Sequence, residues 1–113
     1  MSRKFEIIKD VVAEKLKVDR LDMVNGRRFY EVVEARQIAI YLMLQNSDCT
    51  YEEVGESLGG KSPATVLHNF RKISNRVYCE KDEGLGLLLM EIQKEVLFRE
   101  AQDDPELYRG AGI

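Results

Sequence analysis

The chain has 113 residues, 44% apolar and 33% charged, enough for one buried core and unlike a disordered or fibrous composition. No apolar run approaches the roughly 20 residues that span a bilayer, and the basic start MSRKFEIIKD lacks the apolar segment of a secretory signal. The net charge of −3 is uneven: residues 1–79 hold 13 Lys and Arg against 11 Asp and Glu, whereas residues 80–113 hold 4 against 9, so a positive face must come from the first two thirds.

In chain order, Phe5, Ile8, Val12 and Leu16 recur at helical spacing, with Glu6, Lys9, Asp10 and Glu14 between them, which predicts an amphipathic first helix. A short helix follows around Arg20 to Val24, with Asp19 as its cap. Asn25-Gly26 then breaks the pattern and leaves Arg27-Arg28 in or beside a turn. A long helix is predicted from about Glu31 to Asn46. Ala35, Ile38, Ala39 and Leu42 form its inward stripe, while Ile40, Tyr41, Met43 and Leu44 make its second half apolar on most sides, so it is central. Thr50-Tyr51-Glu52-Glu53 has the form of a capping box, and Gly59-Gly60 ends the short helix it opens. Ser62 is an N-cap and Pro63 suits the first helical position. Val66, Leu67, Phe70, Ile73 and Val77 then face inward as far as Tyr78. After a polar break at 80–84, a last helix runs from about 85 to 102, with an acidic tail at 103–113 expected to fray. The reading is a single all-α domain of five to six helices.

A two-turn helix, a glycine turn and a longer capped helix make a helix-turn-helix, in which the second helix enters the major groove. The exposed side of that helix carries Ala64, Thr65, His68, Asn69 and Lys72, with Lys61 in the turn and no carboxylate before Glu80. Periodicity alone also fits an ordinary helical hairpin.

The segment Gly59 to Asn69, GGKSPATVLHN, resembles the signature GG-R/K-D-H-T-T-V-L-H-A of the C-terminal duplex-DNA-binding domain of the bacterial replication initiator DnaA. Gly59, Gly60, Lys61, Thr65, Val66, Leu67 and His68 match in place. Glu34 to Ala39 (EARQIA), Thr50 to Gly55 (TYEEVG), Arg27-Arg28 and Arg71-Lys72-Ile73 resemble further blocks, so the likeness covers about residues 5–78. It implies a DnaA C-terminal-like fold of Trp-repressor-like topology that binds double-stranded DNA. No phosphate-binding G-x-x-x-x-G-K-[ST] occurs in the chain, so ATP-driven origin melting is not expected of it.

By the same resemblance, Arg28 sits where a family arginine enters the minor groove, with Arg27 beside it in the basic loop. A guanidinium suits a narrow A·T groove, where negative potential concentrates. Arg36 and Gln37 match contacts from the start of the long helix, and Lys61, Thr65, His68 and Lys72 match the recognition-helix region. Lys61 and Lys72 would position the backbone, and Thr65 would touch a thymine methyl or a phosphate. Ser62-Pro63-Ala64 departs from the family's Asp-His-Thr: Ser62 still caps, Pro63 has no hydrogen-bonding group and Ala64 offers a methyl. Asn69 replaces an alanine and brings an amide that fits an adenine edge. The expected DNA-contacting set is therefore Arg27, Arg28, Arg36, Gln37, Lys61, Ser62, Ala64, Thr65, His68, Asn69 and Lys72, with a preference different from the initiator's own or relaxed.

Several residues carry a plainer reading as well. Arg36 has Glu31, Glu34 and Glu53 as alternative partners, and His68 reads equally as a helix-surface residue. Phe29 and Tyr30 both read as rings able to stack on sugars, with core-edge packing the preferred expectation for Phe29. Cys49 and Cys79 read as inert small hydrophobes in a reducing compartment, which with DNA binding means the cytoplasm and its nucleoid. One histidine excludes metal clusters and histidine-based triads, no carboxylate pair or nucleophile–base pair stands out, and neither an enzyme nor a cofactor is expected. Leu87, Met90, Leu97 and Phe98 exceed one stripe of the last helix, which means either deep burial or a surface for a protein partner or a second copy. Two function classes remain: a DNA-binding accessory replication or transcription factor, and an interaction module that kept the fold with a degenerate DNA face.

Overall fold

The computed structural model describes residues 3–103, which form six helices and no strand. These are α1 (Arg3–Leu16), α2 (Arg20–Val24), α3 (Tyr30–Asn46), α4 (Tyr51–Ser57), α5 (Pro63–Tyr78) and α6 (Glu83–Asp103). Apart from Asp103, which closes α6, the expected tail lies outside the described residues.

Local chemistry sets the helix starts. Asp19 accepts from the Leu21 N–H. Thr50 and Glu53 form the complete capping box. Ser62 accepts from the Thr65 N–H with Pro63 at the first helical position. Asp82 Oδ1 accepts from the Leu85 N–H at 3.0 Å and so opens α6.

The centre is α3, packed against α1, α2, α4 and α5, while α6 lies chiefly along α1. Ala35, Ile38, Ala39, Ile40, Tyr41, Leu42 and Met43 are all buried, as the breadth of their apolar pattern predicts. Val66 and Ile73 are fully buried, whereas Leu67, Phe70 and Val77 are only partly so. Phe70 stacks on Tyr41 with ring centroids 5.3 Å apart. From α6 the core receives Leu85, Leu89, Ile92 and Val96.

One charge expected on the polar side of α1 is inside. Lys9 is only 4% exposed; its Nζ donates to the Ser57 carbonyl at the end of α4, at 2.9 Å, and pairs with Glu6 at 3.0 Å. The ammonium thus satisfies a carbonyl that the end of α4 leaves free, where the helix dipole favours a cation. Glu6 also receives Arg20, which reaches Asp10 as well, so one cluster ties α1 to α2.

Candidate nucleic-acid interface

The turn between α4 and α5 rests on backbone approaches that only glycine permits. The Gly55 carbonyl accepts from the N–H groups of Gly60 and Lys61, both at 3.0 Å. A Cβ on Gly55 would lie 2.0 Å from the Lys61 carbonyl oxygen. Gly59 has φ +85° and sits so close to α2 that a Cβ would lie 2.0 Å from the Val24 carbonyl oxygen. These contacts fix α5 against both α4 and the loop that follows α2.

Between that loop, the start of α3 and the start of α5 lies a cleft of about 320 Å³. Arg28, Arg36, Gln37, Lys61, Thr65 and Asn69 all line it, so six of the eleven residues expected at a DNA face meet in one place, and no carboxylate joins them. The Lys61 ammonium reaches across to the loop, 3.3 Å from where a Gly26 Cβ would stand. Gln37 Nε2 donates to Asn69 Oδ1 at 3.1 Å, which joins α3 to α5 inside the cleft.

Arg36 departs from the expected free contact. It is 7% exposed, and its guanidinium donates to the carbonyls of Met23 (2.7 Å), Asp22 (3.2 Å) and Arg27 (2.9 Å). Its partners are therefore backbone carbonyls, not Glu31, Glu34 or Glu53. Burial lowers its pKa from the ordinary arginine value, and the Arg28 charge adds to that effect. Arg36 is thus a strut that closes the end of α2 and holds the Arg27-Arg28 backbone in place. Glu34 pairs instead with Arg76 at 2.8 Å, and Arg76 reaches Asp82 at 2.9 Å, which links α3, α5 and α6.

The other expected residues lie around the cleft. Ala64, Thr65, His68 and Lys72 are exposed on the outward side of α5. The Ser62 hydroxyl is engaged, because it accepts from the Thr65 N–H and donates to Thr65 Oγ1 at 3.0 Å. Arg27 is exposed, with Asp22 at 3.8 Å. Phe29, expected at the core edge, is exposed (61%) beside Tyr30 (74%), because α3 turns its buried side away from the basic loop. Sequence reasoning left out Arg71. It is exposed beside His68 and Lys72, three residues after His68, and that helical spacing was the signal that marked it. Cys49 is half-buried, and burial first, then the Glu53 charge, pushes its thiol up, as befits an inert group.

The charge pattern separates this face from the rest of the surface. Among the described residues, ion pairs of Arg3, Lys4, Arg20, Arg76 and Arg99 fasten elements to one another, Lys9 pairs with Glu6 within α1, and Arg27 lies near Asp22. Among the described residues Arg28, Lys61, Arg71 and Lys72 have no carboxylate partner, and all four lie on the basic loop, the turn or the outward side of α5. The other unpaired lysines are dispersed: Lys15, Lys17 and Lys81 at helix ends, and Lys94 near Glu91 and Glu95.

A family model described as the bacterial dnaA protein helix-turn-helix matches residues 5–73. The chain belongs to this family. It is 33% identical to the chromosomal replication initiator protein DnaA of Trichormus variabilis, over 90% of this chain and 22% of that protein. It is 35% identical to the protein of the same name from Nostoc sp., over 80% of this chain and 19% of that protein. For Rippkaea orientalis the identity is 37%, over 80% of this chain and 20% of that protein. The chain thus spans about a fifth of the length of these DnaA relatives, and the matched range runs from α1 into α5. Among the described residues no helix is long and apolar enough to cross a membrane.

Proposed function

We propose that the chain binds duplex DNA, with α5 in the major groove and the Arg27-Arg28 loop over the adjacent backbone and minor groove. The observation that carries this reading is the presence of cations without a described carboxylate partner at the cleft between the basic loop and α5 (Arg28, Lys61) and along the outward side of α5 (Arg71, Lys72), in a chain of the DnaA helix-turn-helix family. Cations held free of carboxylates are what phosphate contacts and counterion release require. The exposed rings of Phe29 and Tyr30 flank the same loop and suit packing on sugars.

The roles differ along the face. Lys61 and Lys72 hold phosphates, and Arg71 adds a third such contact. Thr65, His68 and Asn69 meet base edges or the backbone beside them, and Ala64 offers only a methyl. With Pro63 and Ala64 where the family signature has hydrogen-bonding side chains, the preferred sequence differs from the initiator's own or is relaxed. The relatives are chromosomal replication initiators, and that kinship supports a role as an accessory factor in replication initiation or transcription, at the nucleoid.

Fluorescence anisotropy with labelled duplexes tests the reading. Lys61→Ala should weaken every duplex to a similar extent and lower the salt slope by about 1. An unaltered affinity in Lys61→Ala and in Lys72→Ala, with the fold retained, would remove the proposed face. In that event the chain is an interaction module.

A further inference from the structure

The side of α6 turned away from the core carries Leu87, Met90, Leu97 and Phe98, exposed by 62%, 64%, 55% and 54%. Deep burial, one of the two readings of these residues, is thereby excluded. At about 100° per residue they share one stripe with exposed Glu91 and Lys94 and with Ala101. Positions 87, 90, 94, 97 and 101 alternate steps of three and four, which is the spacing of a helix–helix seam. Among the described residues Leu85, Leu89, Ile92 and Val96 seat α6 on the core, and this stripe takes no part in it.

We infer that the stripe docks a second copy of this chain, the two α6 helices running antiparallel about a two-fold axis between Ile92 and Gln93. In that register Leu87 faces the partner's Phe98 and Glu91 faces the partner's Lys94, each pair occurring twice. The charges select this arrangement. A parallel pairing would set Lys94 against Lys94 and Glu91 against Glu91, whereas the antiparallel one makes opposite charges meet between apolar ends. The Lys94 alkyl stem can cover Met90, and the partner's Leu97, next to its Phe98, extends the apolar patch around Leu87. α6 has 21 residues, about 30 Å at 1.5 Å per residue, and one such seam covers less than the roughly 800 Å² per partner of a standard interface. The dimer is therefore weak and concentration-dependent.

Sedimentation equilibrium on the full 113-residue chain without DNA tests this. A monomer–dimer equilibrium is expected in the micromolar to near-millimolar range. Lys94→Glu should weaken association roughly tenfold by turning two attractions into repulsions. The double variant Glu91→Lys/Lys94→Glu should restore it, with circular dichroism confirming the fold in each. A strictly monomeric chain, association indifferent to Lys94→Glu, or failure of the double variant to recover overturns the proposal. So does a full chain that stays monomeric while one ending at Asp103 dimerises, which would give the stripe to residues 104–113.

Discussion

Gln37 Nε2 donates to Asn69 Oδ1 at 3.1 Å, so the one side chain of α5 best suited to an adenine edge is held by the helix behind it. Bidentate reading of adenine uses both the oxygen and the nitrogen of the amide. The Gln37 bond leaves Asn69 Nδ2 free and orients it. The two residues should therefore act as a unit. Asn69→Ala should relax the preference at one base position in duplexes selected from a random pool. Gln37→Ala should reproduce part of that effect, and the double variant should fall short of additivity by about 0.5–3 kcal/mol. Additive losses would separate the two roles.

Arg28→Ala should weaken binding most on A·T-rich duplexes, because the narrow minor groove concentrates the negative potential that attracts a guanidinium. Comparing A·T-rich and G·C-rich duplexes at one salt concentration measures this. Equal losses on both would place Arg28 on phosphates alone.

Arg36→Ala removes the donors that serve the Met23, Asp22 and Arg27 carbonyls. Leaving the buried Met23 carbonyl and the two part-buried ones unpaired should cost about 1–3 kcal/mol in urea unfolding and weaken DNA binding through the displaced loop. Arg36→Lys should rescue little, since one compact ammonium cannot reproduce the planar guanidinium fork. Full stability in Arg36→Ala would contradict the strut.

The chain makes part of this legible and hides part. Thr50 with Glu53, Ser62 with Pro63, and Asp19 act within three residues of themselves, so their capping is readable as letters. The breadth of the apolar pattern on α3 likewise announces its central place. Glu34 and Arg76, by contrast, are 42 residues apart, and Lys9 meets its carbonyl 48 residues away. No local pattern distinguishes a lysine that ends a distant helix from one that faces water, so Lys9 looked solvated, and Arg36 read as a DNA contact or a carboxylate's partner. Phe29 misled for the converse reason: an aromatic side chain suggests burial, yet α3 begins with its core side turned away from that position.

The two turn glycines should differ. Gly59→Ala meets the Val24 carbonyl and a positive φ together and should destabilise by more than about 2 kcal/mol. Gly60 has the same φ of +85° but open space around it, so Gly60→Ala should cost only the backbone term of about 1–2 kcal/mol. Urea midpoints compare them, and equal costs would refute the close approach of the turn to α2.

Burial first, then the hydrogen bond with Tyr78, pushes the Tyr41 phenol up to about 12. The folded value lies above the usual 10.0, so this contribution to stability is complete below pH 10 and is lost as the pH rises towards 12. An ultraviolet titration should show one late ionisation that Tyr41→Phe removes. Its persistence in that variant would assign it elsewhere.

The most direct test of the proposed DNA face is the salt dependence of duplex binding by the intact chain. Four to six phosphate contacts predict a log–log slope of about −4 to −5 for the association constant against salt. Measurable affinity near 50 mM salt that falls along this slope would support the cation cluster as a nucleic-acid interface. A flat dependence, or no duplex binding even at that low salt, would contradict it.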